Sequence, residues 1–346
     1  MLKIRAFILS ACAVACIAAS LAAQEIKFAP LGDFKLEDGE TIRDLRLGYR
    51  TVGTLNAGRS NAILWPSWFS GTSAQLLQYA GPGKLLDTSK YFVIFVDALG
   101  DGVTTSPSNS ATQPRMDFPK FTIRDMVNAE YKLATERLGL KHLLAVMGVS
   151  MGGFQTFEWM VAFPDFMDKA VSIVGTPRKS ASDLLLSTTE EHAIELDPAW
   201  NNGNYSSPPE AGMRLVADIH TMNLRTSEYL STHVPPDQFQ GFLARAEQET
   251  IHGFDANDWV RQLQASKGQD ISRHFGGSME KAAAAVRAQV LIIVATQDHM
   301  VNPARPLAFA KLIHAQTLEL SSDCGHLSNG CEAAKMNPIV QQFLEK

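Results

Sequence analysis

The sequence predicts an α/β fold, a mostly parallel doubly wound sheet with an all-helical insertion. Three observations point there. Short, nearly continuous apolar runs recur along the chain, helical patterns separate several of them, and one long interval holds helices and no convincing buried strand. Apolar runs of this kind suit parallel strands buried on both faces, since a half-exposed strand would alternate.

The chain opens that architecture with a hairpin. Residues 24–58 alternate apolar and polar side chains around Asp38-Gly39, with Phe34-Lys35-Leu36 before the turn and Ile42 to Tyr49 after it. The buried strands follow as Ala62–Trp65, Tyr91–Val96, Leu143–Met147, Ala170–Val174 and Val290–Ala295, with the shorter Thr317–Leu320 last. Thr122–Leu138 is amphipathic with Thr122 as its cap, and Met151–Ala162 is a second helix stopped at Phe163 by Pro164. The alternation breaks at Pro177. Ser182–Leu196, Ala211–Asn223, Pro236–Glu249 and Asp255–Lys267 all read as helical, and strand order resumes at Val290. The expected division is a core of residues 24–176 and 286–346 with a helical lid at 177–285.

Composition excludes several classes. At 346 residues, 45% hydrophobic and 19% charged, the chain suits one large domain carrying an insertion. A net charge of −5 removes the electrostatic footprint of a nucleic-acid binder. Four cysteines are too few for a disulfide scaffold.

The first 23 residues stand apart. Lys3 and Arg5 precede the uncharged run Ala6–Ala23, which ends in Ser20-Leu21-Ala22-Ala23, the pattern of a cleaved secretory signal peptide. A membrane anchor is the alternative, at the short limit for spanning. A lipid-attachment site at Leu9-Ser10-Ala11-Cys12 has too short an apolar stretch before it. Cleavage would leave about 323 residues, no membrane association, a periplasmic or secreted location and a charge of −7, because it removes Lys3 and Arg5 and no acid. Only Cys324 and Cys331 would remain.

Chemistry gathers at the strand ends. Gly148-Val149-Ser150-Met151-Gly152 joins an apolar strand to a helix, the setting of a nucleophile elbow. Small residues two before and two after Ser150 let strand and helix pack closely, and the sharp turn lifts its Oγ out of the sheet. The Met151 N–H at the helix start would face the developing oxyanion. A serine nucleophile needs a base and an orienting acid, supplied in this strand–helix setting in the order Ser, Asp/Glu, His. Asp298 follows Val290–Ala295 and His326 follows Thr317–Leu320, so both leave strand ends on the edge where ligands meet such a sheet. Asp323 is the local rival, only three residues from His326. A second oxyanion donor should come from Pro66-Ser67-Trp68-Phe69-Ser70-Gly71-Thr72, with Phe69 N–H preferred and Trp68 close behind. That turn also supplies Trp68 as an apolar floor for substrate. The spacing of His and Cys residues suggests no metal, and the chemistry requires no cofactor.

Several segments together resemble the homoserine O-acetyltransferases of the α/β-hydrolase superfamily over roughly residues 30–346. They are Leu47-Gly48-Tyr49-Arg50-Thr51-Val52-Gly53-Thr54-Leu55-Asn56, Thr122-Ile123-Arg124-Asp125-Met126-Val127, Ser150-Met151-Gly152-Gly153-Phe154-Gln155, and Asp197-Pro198-Ala199-Trp200 with Gly203 and Tyr205. The resemblance implies an α/β-hydrolase fold and a triad of Ser150, Asp298 and His326. It also implies a lid forming a tunnel over the serine and a homodimer through that lid. Tyr205 then counts among the expected substrate contacts.

Departures from the family bear on the acceptor. Ala217 stands where the family carries an arginine that grips the amino acid's carboxylate, and Leu224 replaces a nearby tyrosine. Losing a bidentate charged anchor is costly; Arg178 and Arg214 are the candidates to replace it. Export would also separate the enzyme from acetyl-CoA. The expected activity is therefore hydrolysis of a carboxylic ester or related small acyl compound through an acyl-enzyme. Acyl transfer to an alcohol and a non-catalytic binding role are the alternatives. Cys324 and Cys331 bracket His326, and an oxidising compartment favours a bridge between them, with two free thiols as the alternative.

Overall fold

The computed structural model describes residues 25–346, so the signal segment at 1–23 lies outside the described residues. Strands β1 (Lys27–Lys35) and β2 (Thr41–Val52) form the antiparallel hairpin. Gly39, at φ +94°, makes the turn between them, a left-handed conformation that glycine adopts without a Cβ penalty. The remaining strands are β3 (Ala62–Pro66), β4 (Phe92–Val96), β5 (Leu143–Val149), β6 (Met167–Ile173), β7 (Gln289–Ala295) and β8 (Gln316–Leu320). They complete an eight-stranded sheet ordered β1-β2-β4-β3-β5-β6-β7-β8. From β4 to β8 every pairing is parallel.

All five residues of β3 are buried, which explains the unbroken apolar run. Alternate side chains serve different layers: Leu64 packs into the core on one face, while Ile63 and Trp65 pack on the other. Helix α1 (Ile123–Lys132) starts at Thr122, whose Oγ1 accepts from the Asp125 N–H while the Asp125 carboxylate accepts from the Thr122 N–H. The longer helix expected here changes to a π-helical turn at Leu133–Arg137. Helix α2 (Met151–Ala162) is buried along eleven of its positions, wedged between sheet and neighbouring helices. In that wedge the Trp159 Nε1–H donates to a carboxyl oxygen of the buried Glu130 at 2.6 Å.

Between β6 and β7 lie four long helices. These are α3 (Ala181–Glu195), α4 (Glu210–Leu224), α5 (Phe239–Gly253) and α6 (Ala256–Lys267). Two shorter ones, Ser227–His233 and Met279–Ala285, were not foreseen; at seven residues each they carry too little periodicity to read. Ile194, Trp200, Met213, Trp259 and Val260 give this region its own apolar core. Arg261 of α6 fastens it to the sheet domain, donating to the Phe118 carbonyl at 3.0 Å and the Met116 carbonyl at 2.8 Å. Helices α7 (Ala304–Leu312) and α8 (Ala333–Glu345) complete the chain.

Candidate active site

Ser150 follows the last residue of β5 and precedes the first of α2, with φ +56° and ψ −119°. A non-glycine residue in that region costs of order 1–3 kcal/mol and persists only when its surroundings force it. The two glycines explain how they do. A Cβ on Gly148 would sit 2.2 Å from the Gly152 carbonyl carbon, and one on Gly152 would sit 2.6 Å from the Pro66 carbonyl oxygen. No larger side chain fits at either place, so the spacing of the motif is the spacing of two close backbone crossings.

The sheet brings the three predicted groups into one hydrogen-bonded line. His326 Nε2 lies 2.8 Å from Ser150 Oγ, and His326 Nδ1 lies 2.7 Å from Asp298 Oδ2. The other carboxylate oxygen of Asp298 accepts from the N–H groups of Met300 and Val301, at 2.8 and 2.9 Å. Those bonds fix the carboxylate's rotation. Asp323 is not in this line: its backbone carbonyl accepts from Thr226, tying the segment before His326 to the helical region. A disulfide joins Cys324 and Cys331, with Cα atoms 6.5 Å apart, and closes a loop that contains His326.

Two cavities open beside Ser150. The larger, about 400 Å³, is walled by Trp68, Phe69, Tyr79, Leu224, Phe254 and Trp259 among others. The smaller, about 40 Å³, lies toward Met151, Phe154, Leu263 and Met300. Phe69 and Ser150 line both. Met151 is the first residue of α2, so its N–H has no intrahelical acceptor and is available to a ligand. Lys179 also reaches the smaller cavity, and burial pushes its ammonium pKa down.

Arg178 and Tyr205 are elsewhere, and both expectations are corrected. The Arg178 guanidinium pairs with Asp270 at 2.8 Å and donates to Ser272 and the Gly277 carbonyl; it lines neither cavity. Its charge is spent on a structural anchor. Tyr205 donates its hydroxyl to Asp255 at 2.6 Å and packs against Trp200, inside the apolar core of the helical region. The family-like segment around it shapes that region without touching the cavities. Arg214 pairs with Glu247 at 2.8 Å on the surface, while Ala217 is buried and Leu224 faces the larger cavity. No arginine among the residues lining the two cavities stands in for the missing clamp.

Two functional contacts escaped the sequence. Gln262 of α6, fully buried, accepts from the Ser70 N–H at 2.9 Å and donates to the Leu99 carbonyl at 3.1 Å, holding the turn that carries Phe69. Glu190 of α3 lies 3.0 Å from His220 Nδ1 on α4, and His220 lines both cavities. Gln262 sits 192 residues from its partner, a separation that no local pattern reports.

Residues 73–330 match the family model described as alpha/beta hydrolase fold. An ethyl acetate hydrolase of Pseudomonas veronii is 34% identical over 325 residues, covering 91% of this chain and 93% of that protein. A homoserine O-acetyltransferase of Methanococcoides burtonii is 32% identical over 356 residues, covering 90% and 72%. The solved structure of an acetylester hydrolase from Corynebacterium glutamicum superposes with a TM-score of 0.88 at 30% identity, covering 93% of this chain and 96% of that one.

Proposed function

The chain belongs to the α/β-hydrolase family, as an enzyme of the esterase or acyltransferase kind, and on that premise we propose that it hydrolyses short-chain carboxylic esters through an acyl-enzyme on Ser150. The observation that carries the proposal is the unbroken Ser150–His326–Asp298 line at the base of the cavities. His326 Nε2 takes the Ser150 proton as Oγ attacks the carbonyl carbon, and Asp298 stabilises the imidazolium that forms. The Met151 and Phe69 N–H groups receive the oxyanion. Collapse expels the alcohol, which leaves with the proton from His326. Water, deprotonated by the same imidazole, then attacks the acyl group and frees Ser150.

Hydrolysis is favoured over transfer by the cavity walls. The larger cavity, with Leu224 in its wall, has no arginine or lysine among its lining residues to grip the carboxylate of an amino-acid acceptor. The smaller cavity, at about 40 Å³, has room for roughly three water molecules and suits an acetyl or propionyl group. We also propose export of the mature enzyme, supported by the pattern of residues 1–23 and by the Cys324–Cys331 disulfide.

The test is turnover of a short-chain aryl acetate with and without homoserine or a simple alcohol. Acetate as the dominant product in both cases is expected. An acylated alcohol dominating at modest acceptor concentration would replace hydrolase with transferase.

A further inference from the structure

Two acid–imidazole pairs face Ser150, and the reaction above uses only one. In the second, Glu190 is 2% exposed and its Oε1 lies 3.0 Å from His220 Nδ1. The imidazole is clamped between aromatic rings, stacked on Phe69 at 6.1 Å and edge-on to Trp259 at 5.3 Å between centroids. That ring lines both the larger and the smaller cavity, as Ser150 does. With Nδ1 committed to Glu190, Nε2 is the nitrogen left for a ligand. The smaller cavity that the ring lines is also walled by Phe69, Leu263 and Met300, apolar surfaces against which an unpaired polar atom is costly.

We propose that His220 is the specificity-determining residue of this site, its Nε2 hydrogen-bonding a hydroxyl on the alcohol portion of the ester. The preferred substrates are then monoesters of diols or polyols. This rests on the esterase reading above. Chemistry selects the hydroxyl over charged groups. A carboxylate would meet the buried Glu190 and, in the larger cavity, Glu249; that exposed acid is a weak anchor for an ammonium. A hydroxyl suits either state of the ring, donating to the lone pair of the neutral imidazole or accepting from the protonated one. Size selects the alcohol side, since the larger cavity of about 400 Å³ has the room for it.

The experiment compares kcat/KM for ethylene glycol monoacetate and propyl acetate, which differ by a hydroxyl in place of a methyl group. For the native protein the hydroxylated ester is expected to lead by about tenfold, the worth of one hydrogen bond, with the difference mostly in KM. In His220→Leu the ratio should fall to about one, and in His220→Gln, which keeps a hydrogen-bonding tip, most of it should return. A native ratio of one or less overturns the proposal without any variant. So does a ratio that His220→Leu leaves unchanged. If the native protein cleaves neither ester, the esterase reading itself has failed, and that outcome is separate from any ratio.

Discussion

Replacing Gln262 by leucine, a side chain of similar size without polar atoms, tests how the helical region governs catalysis. Gln262 is the sole side chain joining α6 to both the Phe69 turn and the strand-end loop at Leu99 among the hydrogen bonds of the described residues. The substitution strands two backbone groups. Leu99 is fully buried, so its carbonyl loses a partner with no access to water. The Ser70 N–H, in a residue held at φ +56°, loses the acceptor that secures that conformation. At about 1–3 kcal/mol for each buried group left unpaired, and less for the half-buried Ser70, the loss of stability should be about 2–4 kcal/mol. Denaturant titration measures it. Activity should suffer separately. Outright removal of an oxyanion donor costs about 10²–10³-fold in kcat. Displacement of the Phe69 N–H by a freed turn should cost about tenfold, with KM little altered because the contact forms only in the transition state. A folded Gln262→Leu protein with kcat within about twofold of native would refute the claim that α6 holds the oxyanion turn.

Three other expectations follow from the same geometry. Asp298→Asn should keep the fold yet lower kcat by about 10⁴-fold, read with a short-chain aryl acetate, since the amide cannot stabilise the imidazolium. Replacing Cys324 and Cys331 together by serine should cost about 2.5 kcal/mol in thermal or denaturant unfolding, for an eight-residue loop, and lower kcat by loosening His326. Glu130 is buried beside Trp159, and burial pushes its carboxyl up to about 8 from an ordinary 4.5. The folded state therefore holds a proton that the unfolded chain releases near pH 4.5, so stability falls as pH rises from there to about 8, by up to about 1.4 kcal/mol per unit. Glu130→Gln, which keeps an acceptor for the Trp159 Nε1–H, should flatten that slope in denaturant titrations across the same range.

How much of this was legible depends on whether the signal is local. The buried parallel strands announce themselves because both faces are covered, so β5 reads as the apolar run Leu143–Met147, and the strand itself runs on to Val149. Ser150, Asp298 and His326 are visible for a related reason: the sheet places strand ends together, and each residue follows one. Contacts within the helical region are not local. Amphipathic spacing marks which face of α3 or α4 is apolar, but not that Glu190 on one would meet His220 on the other. The positions expected of Arg178 and Tyr205 fail for the same reason, because Asp270 looks like any loop acid and Asp255 like any helix cap until the chain brings them within bonding distance. Helix ends were better marked where a cap exists, as at Thr122, than where α1 passes into a π turn with no change in composition.

The central claim is that Ser150 is the nucleophile, and active-site labelling with a fluorophosphonate tests it most directly. Intact mass of the folded native protein should show one adduct per chain, located by peptide mapping to Ser150, and Ser150→Ala should show none. A folded native protein that takes no label, or an adduct that survives in Ser150→Ala, would contradict the account.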